Sequence, residues 1–166
     1  LATDSGVSSK RMDDRECVLR FLSFALSDPE QYDSENFDGF LNQTMAHLNK
    51  IEKSEFGHYE EIFKKAMTRA HELFGNNAFR KRYRTGEARY PINKALFEAW
   101  SFHLSRINRK EEEELIKRKK LLNDRFMALM SKDKDFETSI SQGTGSIRKV
   151  RYRFHRISQI ISETLK

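Results

Sequence analysis

Between residues 93 and 107 the chain places Ala95, Leu96, Phe97, Ala99, Trp100, Phe102, Leu104 and Ile107. Wound into a helix, these groups lie almost all the way round the axis, so no face is left for water. A helix of that kind belongs in the centre of a bundle, and the rest of the chain must surround it. The surroundings are legible: in most other segments apolar residues recur three or four positions apart. Only two prolines and seven glycines interrupt 166 residues, which leaves little turn chemistry for a sheet. The fold expected is all-α, an irregular bundle of roughly six or seven helices.

Residues 1–10 are polar and are expected to form a linker, with 11–166 as a single helical domain. The first helix is expected to be capped by Asp13 or Asp14, to bury Cys17, Phe21 and Phe24 with Val18, Leu22 and Ala25, and to stop at Asp28-Pro29. Arg20 lies inside that apolar run and is expected to snorkel or to pair with an acid. After a polar loop over 30–36, Phe37, Phe40, Leu41, Met45 and Leu48 mark a second helix, and Gly57 is expected to separate it from a third. That third helix carries Tyr59, Ile62, Phe63, Ala66, Met67, Ala70, Leu73 and Phe74, with Gly75 as its terminator. Asn93 is placed to cap the central helix. The acids of 111–114 precede the bases of 117–120, the favourable order for the helix dipole and for side-chain pairing. They are expected to share one helix whose buried line is Leu115, Leu122, Phe126 and Leu129, broken at 131–135. Phe136 and Ile140 follow, and Val150, Phe154, Ile157 and Ile161 define the last helix. No repeat of solenoid period occurs.

A formal net charge of +6 and a pI near 9.4 favour an acidic partner, nucleic acid first. The single cysteine, Cys17, cannot form an intrachain disulfide and sits among Val18, Leu19 and Phe21, as a buried thiol in a reducing compartment would. No run approaches the roughly 18 apolar residues of a membrane span. A cytoplasmic protein without membrane contact is expected, and the opening at Leu1 instead of Met suggests a piece of a longer one. Glu55 and His58 have the Glu-x-x-His spacing of di-iron bundles, but no second copy occurs. His47, His71, His103 and His155 are scattered without paired cysteines. Asp13, Asp14 and Glu16 are accounted for by a helix start. No serine lies in a Gly-x-Ser-x-Gly elbow. No catalytic residue, metal site or cofactor is assigned to this chain.

Two basic segments remain. Residues 76–90 hold Arg80, Lys81, Arg82, Arg84 and Arg89 against the single acid Glu87, with Phe79, Tyr83 and Tyr90 between them. Such a mixture suits a nucleic-acid backbone with stacked bases, and equally a solvated loop whose aromatics tuck onto the core. The second segment, 136–156, joins the loop Gln142-Gly143-Thr144-Gly145-Ser146 to a helix whose first half carries Arg148, Lys149, Arg151, Arg153 and Arg156 without an acid. Positive charge at a helix amino end is disfavoured by a few tenths of a kcal/mol per residue, so an anion is expected there. Backbone N–H groups of the glycine turn with the nearby arginines would form its site. The spacing is not that of a Walker loop. A plain connection whose hydroxyls cap the helix is the alternative, and a helix-turn-helix reader using Arg148, Arg151 and Tyr152 is another, against which the length of the loop counts. The candidate phosphate or nucleic-acid contacts are therefore Arg80, Arg82, Arg84, Gly143, Thr144, Gly145, Arg148, Lys149, Arg151, Arg153 and Arg156.

Short stretches along the chain, Arg11-Met12 with Val18-Leu19-Arg20-Phe21, Phe40-Leu41-Asn42, Phe74-Gly75 with Ala78-Phe79-Arg80, Asn93-Lys94-Ala95-Leu96-Phe97-Glu98, and Phe136 with Ser139-Ile140-Ser141 and Gly143-Thr144, resemble the carboxy-terminal helical half of the GmrSD-type restriction-system family. The resemblance implies a non-catalytic helical module of a bacterial restriction, anti-phage or DNA-processing protein, packed on an amino-terminal ParB/sulfiredoxin-like domain. It also implies DNA as a partner, self-association, and a nucleoside triphosphate in the intact protein, which would be a nucleotide-dependent endonuclease or its subunit. That family's Asp-Gly-Gln-Gln-Arg motif, tied to nucleotide use and cleavage, belongs to the other half and does not occur in this sequence, so no catalytic residue carries over. Arg80, Arg148 and Arg153 are expected to complete an anion site shared with the missing half. The alternative is a structural, oligomerisation or protein-partner module with no nucleic-acid contact. Cations neutralised within the fold favour the alternative, and one exposed basic stripe favours the first reading.

Overall fold

The computed structural model describes Gly6, Val7 and residues 12–166. The expected linker over 1–10 lies outside the described residues except for Gly6 and Val7, and Val7 packs against the hydrophobic core. The described residues form α1 (Asp13–Leu26), α2 (Phe37–Leu48), α3 (Lys53–Phe74), α4 (Lys94–Arg106), α5 (Arg109–Lys117), α6 (Lys119–Lys132), α7 (Lys134–Ser139) and α8 (Ile147–Leu165). Their only β pairing is an isolated antiparallel bridge between Arg80 and Ile92.

The central element is α4, as its apolar circumference requires. Every residue from Ala95 to Phe102 is buried, and the helix packs on α3, α1 and α8. Asn93 caps it by accepting from Leu96 N at 2.8 Å. Trp100 is wedged between Phe74, 4.7 Å away, and Phe126, 5.4 Å away, in edge-on contacts that tie α3 and α6 to the centre. Packing on α5, α6 and α7, α8 turns Val150, Phe154, Ile157 and Ile161 inward along the expected line. Cys17 is buried in α1, and burial pushes its thiol up to about 11, so it stays protonated and inert.

Three boundaries differ from expectation. Neither Asp13 nor Asp14 caps α1; the cap position is Met12, with φ 57°, and both acids fall in the first turn. Gly57 does not separate two helices but lies within α3, since the chain breaks earlier, at 49–52. A glycine in a helix costs about 1 kcal/mol relative to alanine. The long buried carboxy-terminal half of α3, from Ala66 to Phe74, offsets that. The acidic and basic runs share two helices instead of one: α5 ends at Lys117 and α6 begins at Lys119, with Arg118 at φ −99°, ψ 19° between them. Residues 30–36 form a loop, but Tyr32 within it is buried, packed edge-on to Phe40 at 5.0 Å.

Candidate functional site

A short chain of acids organises both basic segments. α7 and its cap carry Asp133, Asp135 and Glu137, and the two segments lie on either side of it. On one side Lys81 Nζ donates to Glu137 Oε1 at 2.9 Å and to Ser141 Oγ at 2.6 Å, and the Tyr83 hydroxyl reaches the same carboxylate at 3.3 Å. The bonds from Lys81 and Ser141 hold the Glu137 carboxyl below its ordinary value. On the other side the Tyr152 hydroxyl donates to Asp133 Oδ2 at 2.8 Å, and Arg156 Nε lies 2.9 Å from the same oxygen. Arg148 stands 3.7 Å from Asp135, with both side chains largely in water, so that pair contributes little.

Arg153 and Arg80 are not outward cations. Arg153 is fully buried and pairs with Glu98, which is itself fully buried on α4, and it donates to Thr144 O at 2.7 Å and Ser139 O at 3.4 Å. Glu98 also receives Arg20 Nη1 at 2.9 Å, and Arg20 bonds Glu16 at 2.8 Å. Lys94 then meets Glu16 at 2.5 Å and Asp13 at 2.7 Å. Burial alone would raise the Glu16 carboxyl, but the bonds from Lys94 and Arg20 outweigh it and bring it below its ordinary value. Arg80 is buried and donates to Asn76 O at 3.1 Å and Tyr90 O at 2.6 Å. An anion shared among Arg80, Arg148 and Arg153 would have to displace Glu98 and several main-chain carbonyls. That expectation is therefore corrected: Arg80 and Arg153 hold the fold, and only Arg148 of the three faces water.

The glycine loop is likewise occupied from within. Its carbonyls are taken one by one: Ile140 O by Asn93 at 2.8 Å, Gln142 O by Lys149 at 2.5 Å, Thr144 O by Arg153, and Gly145 O by the Tyr32 hydroxyl at 2.8 Å. Gly145 is required by close approach, since a Cβ there would come 2.6 Å from Phe37 Cβ, and Gly143 has φ 52°. Both glycines thus have packing reasons. The alternative in which the loop hydroxyls cap the last helix is not met at Ser146, which holds the cap position and makes no side-chain bond to the helix. The first-turn N–H groups of α8 are left for water or an anion.

Around that amino end Arg148, Arg151 and His155 are exposed along one face of α8. Arg151 is steadied through Nε by Tyr32 O at 3.1 Å. An open depression of about 830 Å³ runs along the face, lined by Ile147, Arg148, Arg151 and Tyr152, with Glu30 and Glu35 also contributing. In the other segment Arg82 bonds Asn123 Oδ1 at 2.6 Å, and Arg84 is exposed. Seven residues, 140–146, separate α7 from α8, longer than the three- or four-residue turn of a helix-turn-helix. Sequence reasoning missed Glu98 and Tyr32. The signal for Glu98 was an acid on an otherwise apolar helix, matched by Arg20 and Arg153 on the apolar faces of two others.

Among the described residues, fold and site together define an all-α bundle with internally neutralised cations and an exposed basic face on α8. No protein-family model matches the chain, and no curated protein and no solved structure matches it either.

Proposed function

We propose that this chain is a non-catalytic helical module that contacts phosphates, those of DNA first, through the amino half of α8. The observation that carries the reading is the joint exposure of Arg148, Arg151 and His155 on one face of a helix whose amino end has no side-chain cap. Exposed cations there meet the helix dipole unfavourably until an anion arrives, and the free first-turn N–H groups then add to its binding. In the setting that the GmrSD-type resemblance implies, the module packs on a ParB-like domain of a bacterial restriction or DNA-processing protein. Nucleotide use then belongs to that other domain.

A second reading, an assembly or protein-partner module, is favoured by a specific observation. Lys81, Arg153 and Arg156 are each neutralised by an acid of the same chain, Glu137, Glu98 and Asp133. The two readings separate on the salt dependence of binding to labelled duplex and single-stranded DNA, with Arg148→Gln/Arg151→Gln as the comparison. Lys149 is left in place because it holds the Gln142 carbonyl. Under the phosphate reading, affinity falls steeply with salt and the double variant lowers the logarithmic slope by about two. Absence of binding at low salt, or an unchanged slope, would move the assignment to assembly.

A further inference from the structure

We infer that the corner formed by Tyr83 and Tyr90 is a subsite for an unpaired nucleobase, which makes single-stranded nucleic acid the preferred partner. The inference rests on the phosphate-contact reading above and adds a substrate class to it. A cavity of about 500 Å³ lies at this corner, lined by Lys81, Tyr83, Tyr90, Pro91, Ile92 and Asn93. The two rings meet edge to face with centroids 5.6 Å apart, and Tyr90 keeps 39% of its surface in water.

The backbone beneath both rings is held in place. The Arg80–Ile92 bridge and the bond from Asn93 N to Phe79 O at 2.9 Å close the base of the excursion. Glu87 Oε1 accepts from Tyr83 N at 2.5 Å and Arg84 N at 3.2 Å, closing its tip. Ser131 Oγ donates to Tyr83 O at 3.1 Å, Arg80 donates to Tyr90 O at 2.6 Å, and the Tyr83 hydroxyl is taken by Glu137. A supported aromatic surface open to solvent loses little further freedom when a flat ring stacks on it. A nucleobase suits the corner better than a proline-rich peptide, because next to it in sequence Arg84 is exposed and Arg82 bonds a neutral amide, Asn123, so that positive charge remains for a phosphate chain, whereas Lys81 is already paired with Glu137. The base must be unpaired, since the faces of a paired base are already stacked within the duplex.

The test is fluorescence anisotropy of the full chain with labelled oligothymidine and with a duplex of equal length, comparing wild type, Tyr90→Ala and Tyr90→Phe. Tyr90→Ala is expected to weaken oligothymidine binding about tenfold and leave duplex binding unchanged, while Tyr90→Phe binds as wild type. Because Arg80 holds the main-chain oxygen of Tyr90, the fold should survive the alanine change, which an unchanged thermal midpoint verifies. Salt-sensitive binding that depends on Arg148 and Arg151 but ignores Tyr90→Ala overturns the subsite and leaves the phosphate reading standing. Failure of both nucleic acids to bind overturns both. Tyr90-dependent binding of a proline-rich peptide without oligothymidine binding overturns the subsite in favour of a peptide groove.

Discussion

Glu98, Arg153 and Arg20 form the most consequential group of single residues. Two guanidiniums converge on one carboxylate that has no exposure at all, and Arg20 also lies over the Phe37 ring at 4.5 Å. Removing such charges from water is expensive, so a buried ion pair adds little net stability over a well-packed apolar replacement; breaking one side of it is what destabilises. Here the pairing also fixes geometry, because the same Arg153 head holds Thr144 O and Ser139 O and so positions the loop before α8. Glu98→Gln leaves both guanidiniums facing a neutral group and is expected to lose about 3–5 kcal/mol, read as a fall in the urea midpoint. A Glu98→Leu/Arg153→Met pair should lose less than the sum of its single changes. An unaltered midpoint for Glu98→Gln would falsify a structural role for the cluster. Arginine is among the residue types least often fully buried, which is why Arg153 was expected to face outward with its neighbours. Helical spacing also put Arg153 between Ile157 and Ile160 on the inward arc, and that was the available clue.

Helix existence was legible from periodicity, whereas helix ends depended on details that periodicity does not carry. Asn93 and Asn108 start α4 and α5 as capping chemistry prescribes, Asn108 with Glu111 as a reciprocal box. Gly57 had the look of a separator and is interior to α3, in its exposed first half, with nothing within 4 Å of a Cβ built there. Gly57→Ala is therefore expected to stabilise the protein by roughly 0.5–1 kcal/mol, raising the thermal midpoint. A turn at that position would give the opposite sign, so a lowered midpoint would return the break to Gly57. The division at Arg118 was hidden for another reason. The i,i+4 pair of Arg118 with Glu114 at 2.5 Å suits a continuous helix, yet the Arg118 head also reaches Thr164 O of α8 at 3.0 Å. That contact joins residues 46 apart and lies outside any local pattern.

His103 links α4 to α8 through a 2.9 Å bond with Phe154 O, and it makes the stability of the whole molecule depend on pH. Burial pushes its imidazole from the ordinary 6.5 down to about 4, against the raising effect of that bond, so the ring is neutral in the fold. The unfolded chain takes up the proton near 6.5 and the folded chain only near 4, so stability is lost as pH falls through that window. The loss approaches about 3.5 kcal/mol at most, by roughly 1.4 kcal/mol per unit. In His103→Gln, which keeps a donor for Phe154 O, urea midpoints between pH 7 and pH 4 should fall less than in wild type; equal slopes would discard the assignment. The all-α architecture, the central place of α4 and the inward line of α8 were set by the sequence alone, because a periodic apolar pattern has few ways to leave water. Which cations face outward was decided only in the tertiary structure. Arg80, Lys81, Arg153 and Arg156 read like Arg84, Arg148 and Arg151 until the groups that hold them are brought near: the carboxylates of Glu137, Glu98 and Asp133 come from other elements, and Arg80 is held by the carbonyls of Asn76 and Tyr90 once its own loop folds back.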